Sequence, residues 1–334
     1  MTTQQQFLDL LRDIEPSDST VAACSSAHNT LRTALEYDET FSDLHVDTFL
    51  SGSYKRDTAI RPQNIGGVLQ RPDVDIIVVT NHTEDDDPHT VLDALRQGLV
   101  DAGYENLKVN RRSIAVTLAS VDMDVVPVVE DGDVYLIPDV ELKKWLTTNP
   151  SAHTQWTIDI NASASGRFKP LVKLLKWWRR VHLSDQRRPK GFILECLVAK
   201  HMNYFQASYE TLFVELLEAI RDSYGVYVLL GAVPYVEDPG VPGSNVFSNV
   251  TPEEFKTFYN KVKDHAELAR KAKNKSDDEE ALKLWRLVLG GRFPASTSAK
   301  SVASLASSLV RPAVGAGLTF PAMPVLPNKP GGFA

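Results

Sequence analysis

The chain of 334 residues is 43% hydrophobic and 24% charged, with a net charge of −7. This composition fits a water-facing protein with a sizeable core, and it excludes a whole-molecule basic field of the kind that draws nucleic acid or an anionic membrane. Two cysteines, Cys24 and Cys196, without metal-ligand spacing exclude a disulfide framework or a zinc module and fit a reducing cytosol.

The N-terminal residues 1–10 lack the basic-then-apolar order of a secretion signal, so a cytoplasmic location is expected. No uninterrupted apolar run approaches the ~20 residues of a membrane span. Apolar positions recur at helical spacing over residues 4–14 and 20–37. Residues 44–50 read as a strand entering Gly52-Ser53-Tyr54-Lys55-Arg56-Asp57-Thr58-Ala59-Ile60, a Gly-Ser turn that opens a short polar helix. A polar loop follows, and then Pro72-Asp73-Val74-Asp75-Ile76-Ile77-Val78-Val79. Here two aspartates open a strongly β-forming run, and the period of two puts Asp73 and Asp75 on one strand face. Like charges side by side on an apolar strand are destabilising unless a cation lies between them, and a divalent metal is the simplest one.

Residues 81–88 form an acidic stretch that reads as a solvated loop, and 90–103 carry helical spacing. Residues 108–118 and 121–129 read as two strands. The second, Val121-Asp122-Met123-Asp124-Val125-Val126-Pro127-Val128-Val129, repeats the pattern of two aspartates on one face. From about residue 140 the strands give out. Helical periodicity covers 169–183, 192–204, 209–224, 252–272 and 277–289, with a Pro/Gly-rich loop over 233–249. Beyond residue 294 acidic residues vanish, and 295–334 reads as a flexible tail.

The chemistry follows from the order of these pieces. A triphosphate needs backbone N–H groups and a hydroxyl at a helix start, which Gly52 and Ser53 supply. Nucleotidyl transfer needs hard cations on carboxylates, typically two Mg²⁺ roughly 3.5–4 Å apart. Gly-Ser, then Asp-x-Asp, then Asp-Val-Val-Pro therefore points to phosphoryl or nucleotidyl transfer.

These stretches, together with Leu171-Val172-Lys173-Leu174-Leu175-Lys176-Trp177-Trp178 and the closing Gly290-Gly291-Arg292-Phe293-Pro294, resemble the DNA polymerase β-like nucleotidyltransferases. Within them the likeness is to bacterial relatives of cyclic GMP–AMP synthase and oligoadenylate synthase, which make signalling oligonucleotides in anti-phage defence. It covers about residues 20–294. The resemblance implies an α+β two-lobed fold: a polymerase β-like mixed sheet with N-terminal helices in 1–150, a helical lobe in 151–294, and a tail in 295–334.

The same resemblance implies site residues. Asp73, Asp75 and Asp124 would be the catalytic metal ligands, with Asp124 preferred to Asp122 because it directly precedes Val-Val-Pro. Gly52, Ser53 and Lys176 would hold the triphosphate, Phe192 would stack on the donor base, and Asp238 and Arg112 would contact nucleotide. Gly191 stands where many relatives carry a hydroxyl residue, while Lys173, Arg179 and Arg180 read as the water-facing side of the Lys176 helix.

The implied cofactor is a pair of Mg²⁺ ions, with Mn²⁺ as a substitute. Implied partners are NTPs (ATP, with GTP or UTP), an effector that binds the product, and a ubiquitin-transfer-like enzyme acting on Ala334. Without a zinc insertion or a basic surface, no dependence on double-stranded DNA or a membrane is expected. The implied reaction joins NTPs and cyclises them to a di- or trinucleotide, releasing pyrophosphate. Two other readings stay open: a linear oligoadenylate synthase or RNA/protein nucleotidyltransferase, and a non-catalytic nucleotide-binding or interaction module.

Overall fold

The computed structural model describes residues 3–65, 67–185 and 188–294. Helices α1 (Thr3–Ile14) and α2 (Asp18–Glu36) lead into β1 (His45–Leu50) and the single turn α3 (Gly52–Lys55). A short hairpin, β2 (Asn64–Ile65) with β3 (Val68–Leu69), precedes the carboxylate strand β4 (Asp73–Thr80). After α4 (Pro88–Asp101) come β5 (Leu107–Val109), β6 (Ile114–Thr117), β7 (Asp122–Asp131), β8 (Val134–Asp139) and β9 (Lys144–Thr148).

The strands lie in the order β1-β4-β7-β6-β5, and β8 and β9 extend the sheet from the end of β7. Only the central pair, β4 with β7, runs parallel among the described pairings, which makes the sheet mixed. Alternation along β4 divides its surroundings. Val74, Ile76 and Val78 are buried in one cluster with Leu92, Leu95 and Leu99 of α4 and Leu31 and Leu35 of α2. Ile77 and Val79 belong to a separate cluster with Val128, on the face that Asp73 and Asp75 share.

The second half is helical: α5 (Pro150–Ser163), α6 (Phe168–His182), α7 (Gly191–His201), α8 (Tyr209–Leu229), α9 (Pro252–Lys273) and α10 (Asp278–Leu289). A small hairpin, β10 (Glu237–Asp238) with β11 (Val241–Asn245), sits within the Pro/Gly-rich loop. The starts of these helices are well specified. Ser208 and Asp277 accept from the third residue of their helices, and Thr251 with Glu254 forms a reciprocal capping box. Large side chains such as Trp178, Phe213, Phe258 and Trp285 fill one continuous core, each stabilising the fold by about 1.5–3 kcal/mol through burial.

Several elements depart from expectation, each for a physical reason. Helix α1, expected with the sheet lobe, packs into the helical core through Phe7, Leu10, Leu11 and Ile14. Its Phe7 ring stands edge-on to Trp285 at 5.0 Å and to Phe293 at 5.3 Å. Residues 108–118 are not one strand but the hairpin β5–β6. The chain reverses between them, with the Asn110 N–H donating to the Ser113 carbonyl at 2.9 Å. Strand β9 lies beyond residue 140 because β8 offers it a full antiparallel register. Helix α5 escapes the periodicity test because its apolar residues do not recur on one face. Its start is marked instead by Asn149, which caps the Ala152 N–H, and by Pro150 at the first helical position.

Cys24 and Cys196 are buried free thiols. Among the described residues no helix is long and apolar enough to cross a membrane. The tail 295–334, and with it Ala334, lies outside the described residues.

Candidate active site

The parallel register of β4 and β7 sets Asp73 opposite Asp122 and Asp75 opposite Asp124. Opposed residues of adjacent strands share a face, so four carboxylates form two rows. One of them is compensated: Arg71 Nε lies 2.8 Å from Asp122 Oδ1. The others are not. Asp124 Oδ1 is buried and has no hydrogen-bond partner among the described residues. Enclosure by the cleft walls, then repulsion by Asp75, Asp124 and Asp122, pushes the Asp73 carboxyl up to about 6. Burial and the neighbouring Asp124 raise Asp75 as well.

Gly52 completes this corner. Its φ is +66°, and a Cβ there would lie 1.7 Å from Asp75 Oδ2, so only glycine permits the approach. The Ser51 N–H donates to the Asp75 carbonyl at 2.8 Å, which fastens the start of the Gly-Ser turn to β4. The Thr58 N–H donates to the Ser53 carbonyl at 2.9 Å and closes the loop behind the turn. A cavity of about 880 Å³ opens over these residues. Its sheet wall includes Gly52, Ser53, Asp73, Asp75 and Asp124, and its helical wall includes Lys176, Lys190 and Phe192.

Beside the cleft lies a second cluster, of opposite character. Glu195 is fully buried. Arg56 donates to it through Nε at 2.9 Å and Nη2 at 3.2 Å, a bidentate clasp. The Thr58 hydroxyl donates to Glu195 Oε1 at 2.9 Å. Lys176 Nζ donates to Glu195 Oε1 at 2.8 Å and to the Thr58 carbonyl and hydroxyl oxygens at 3.1 Å each. An ammonium has three donors, and all three are taken. Burial pushes the Glu195 carboxyl up, but Lys176 and Arg56 outweigh it and hold it at about 2. Burial pulls the Lys176 ammonium below its ordinary value, with Glu195 opposing.

The remaining expected residues divide. Phe192 lines the cleft beneath the Arg56 guanidinium, 5.1 Å from its ring centroid, and 4.5 Å from the His153 ring. Asp238 does not line it; its carboxylate accepts from His153 Nε2 at 2.6 Å and from the Gly240 N–H at 2.9 Å. Arg112 sits in the β5–β6 turn, where it pairs with Asp139 at 2.6 Å, outside the cleft. Lys173 is not water-facing: its ammonium bridges Glu15 at 2.9 Å and Asp57 at 3.0 Å. Arg179 and Arg180 line the cleft rather than bulk solvent. Gly191 has a local explanation, because a Cβ there would meet Lys176 Cε at 3.2 Å. Sequence reasoning missed His153 and Lys190 on the cleft wall; only the position of Lys190 at the start of a helix could have drawn notice.

The donor set suits a hard divalent cation. Three carboxylates share a face without compensation, two have raised proton affinity, and one oxygen is buried without a donor. Among the described residues no three His, Cys, Asp or Glu side chains are drawn into a closed cage.

Residues 1–161 match the profile of the Second Messenger Oligonucleotide or Dinucleotide Synthetase domain. Over 337 aligned residues the chain is 66% identical to the cyclic AMP-AMP-AMP synthase of Acinetobacter sp. (strain ATCC 27244 / 9458), spanning 100% of this chain and 98% of that protein. The chain belongs to the cyclic GMP–AMP synthase-like nucleotidyltransferases. Solved structures share its fold. Bradyrhizobium diazoefficiens CdnG in complex with GTP superposes with a TM-score of 0.72 at 13% identity, over 86% of this chain and 95% of that one. E. coli MS115-1 CdnC with ATP gives 0.70 at 19% identity, over 87% and 98%. The polymerase β-like fold is thus that of the family, and the chain is a nucleotidyltransferase that makes cyclic oligonucleotides from nucleoside triphosphates.

Proposed function

We propose that this nucleotidyltransferase joins ATP into a cyclic oligoadenylate, using Mg²⁺, in the cytoplasm of a bacterium under phage attack. The observation that carries the site assignment is the uncompensated carboxylate face, Asp73, Asp75 and Asp124, pressed against Gly52. The choice of adenine rests on full-length likeness to a protein named as a cyclic AMP-AMP-AMP synthase.

Two Mg²⁺ ions held by Asp73, Asp75 and Asp124 would supply Lewis-acid activation of a ribose hydroxyl and neutralise charge on the triphosphate. The protein contributes position. Backbone N–H groups of the α3 turn and the Ser53 hydroxyl face the triphosphate, and the Phe192 ring offers a surface for the donor base. The Arg56–Glu195–Lys176 cluster keeps Thr58, and through it the Gly-Ser turn, fixed against α6 and α7. The acceptor oxygen attacks the α-phosphorus as the bond to the β-phosphate breaks; pyrophosphate leaves, and the hydroxyl proton passes to water. The same step repeats for each nucleotide added, and a last one, from the free ribose hydroxyl at one end of the chain onto the α-phosphorus at the other, closes the ring with loss of a final pyrophosphate; the product is a ligand for an effector protein.

Incubation with α-labelled NTPs and Mg²⁺, followed by phosphatase and chromatography, tests this. A phosphatase-resistant product from ATP is expected, lost in the Asp73→Asn/Asp75→Asn double variant. A product that keeps its internal label but loses its 5′-terminal phosphates to phosphatase, and so shifts on the chromatogram, marks a linear oligonucleotide instead.

A further inference from the structure

The single turn α3 ends in a hydrogen-bond pattern that ordinarily calls for glycine. The Thr58 N–H donates to the Ser53 carbonyl at 2.9 Å, and the Asp57 N–H donates to the Tyr54 carbonyl at 3.3 Å. These two bonds close a Schellman motif with Asp57 at its left-handed position, φ +55°. A residue with a Cβ is strained there, and glycine is the usual occupant. Among the described residues only Lys143 and Ser165 share a positive φ without being glycine, and the side chain of neither makes a hydrogen bond or ion pair. Asp57 differs from both.

Its carboxylate gives the reason. Asp57 Oδ1 accepts from Lys173 Nζ at 3.0 Å, and Lys169 Nζ lies 3.6 Å from Oδ2. Lys173 is buried, so its ammonium depends on its two acceptors, Asp57 and Glu15. Three residues further along α6, Lys176 donates to the Thr58 carbonyl and hydroxyl oxygens. Lys173 and Lys176 share a helix face, and from it α6 grips two consecutive residues at the exit of the Gly-Ser turn. The Ser53 carbonyl accepts from both Thr58 and Ala59 N–H groups, so the grip passes directly to Ser53 on the cleft wall.

We propose that Asp57 is a positioning residue for the triphosphate: its ion pair with Lys173 holds the exit of the Gly-Ser turn against α6, and so sets where Ser53 meets the phosphates. The role rests on the NTP-joining function proposed above. The test is calorimetric titration of wild type, Asp57→Gly and Asp57→Asn with a non-hydrolysable ATP analogue plus Mg²⁺, and with adenosine, beside thermal melts. Asp57→Gly keeps the left-handed backbone without strain and loses only the carboxylate. It is expected to bind the analogue about 3- to 10-fold more weakly, the cost of re-ordering a loosened turn. Its melting temperature should stay within about 3 °C of wild type, because relieved strain offsets the lost ion pair.

Adenosine, which has no phosphate, should bind wild type and Asp57→Gly alike. Asp57→Asn tolerates the backbone and still offers Lys173 an oxygen, so it should recover part of the loss. In a Lys173→Met background, Asp57→Gly should cost nothing further. Equal analogue affinity for wild type and Asp57→Gly overturns the role of Asp57 and leaves the proposed function standing. An equal loss for adenosine, or an undiminished effect in the Lys173→Met background, overturns it as well. A wild type that binds no analogue overturns the proposed function, and this role with it.

Discussion

Two clusters of ionisable groups border the same cleft and are built to opposite rules. Around Glu195 donors converge: Arg56, Lys176 and Thr58 all donate to one buried carboxylate. On the sheet face Asp73, Asp75 and Asp124 stand together with no cation between them, and Asp124 Oδ1 has no partner among the described residues. A satisfied cluster holds a fold in one arrangement, whereas an unsatisfied one is destabilising until something binds. Lys176, read from the motif as a phosphate ligand, belongs to the satisfied cluster and also lines the cleft.

The largest effect should come from the unsatisfied side. Asp75→Asn is expected to lower product formation by at least about 10³-fold, the loss of several kcal/mol of transition-state stabilisation. The metal-free protein should melt no lower than wild type, because a repulsive charge has been removed. Pyrophosphate release and a thermal melt in chelator read the two outcomes. The satisfied side should behave in reverse. Glu195→Gln leaves two buried cations without their counter-charge, and a loss of about 3–5 kcal/mol in denaturant unfolding is expected. A variant that kept wild-type stability would erase the distinction between the clusters.

The carboxylate face was readable because the period of a strand is two and the surrounding run is apolar, so Asp73, Asp75 and Asp124 could be assigned a face from residue spacing. Gly52 was readable through its neighbour Ser53, although its contact with Asp75 was not. The Glu195 cluster was hidden for two reasons. Its members come from α6, α7 and the segment after α3, and Glu195 sits among apolar residues of a helix where a buried carboxylate leaves no periodic trace. The long stem of Lys173 deepened the disguise, since a lysine on a helix reads as a wet face unless carboxylates beyond the helix are known. The partners of Arg112 and Asp238 were hidden for a related reason: no local pattern announces Asp139 or His153.

A smaller effect should follow from Gly52→Ala, which forces a left-handed backbone on a residue with a Cβ and drives that Cβ into Asp75. Unfolding should cost about 1–2 kcal/mol of stability, while product formation falls further than stability accounts for. Equal activity would show that Asp75 does not need its place beside the turn.

The smallest effects are slopes of stability against pH, and the two clusters should give opposite signs. Glu195 is held at about 2 against an ordinary 4.5, so its contribution is complete above about 4.5 and is lost as pH falls toward 2. Asp73 is raised to about 6 from an ordinary 3.8, so metal-free protein should lose stability as pH rises from about 4 through 6. Denaturant unfolding in chelator across this range should show both slopes. Glu195→Gln should remove the first and Asp73→Asn the second.

The central claim is that the unsatisfied carboxylate face makes a cyclic oligoadenylate. Mass spectrometry of the product formed from ATP and Mg²⁺ tests it most directly. The account predicts a mass equal to a whole number of adenylate units with no terminal phosphate, absent from the Asp73→Asn/Asp75→Asn reaction. A linear product bearing a 5′-triphosphate, or the same cyclic mass from the double variant, would contradict it.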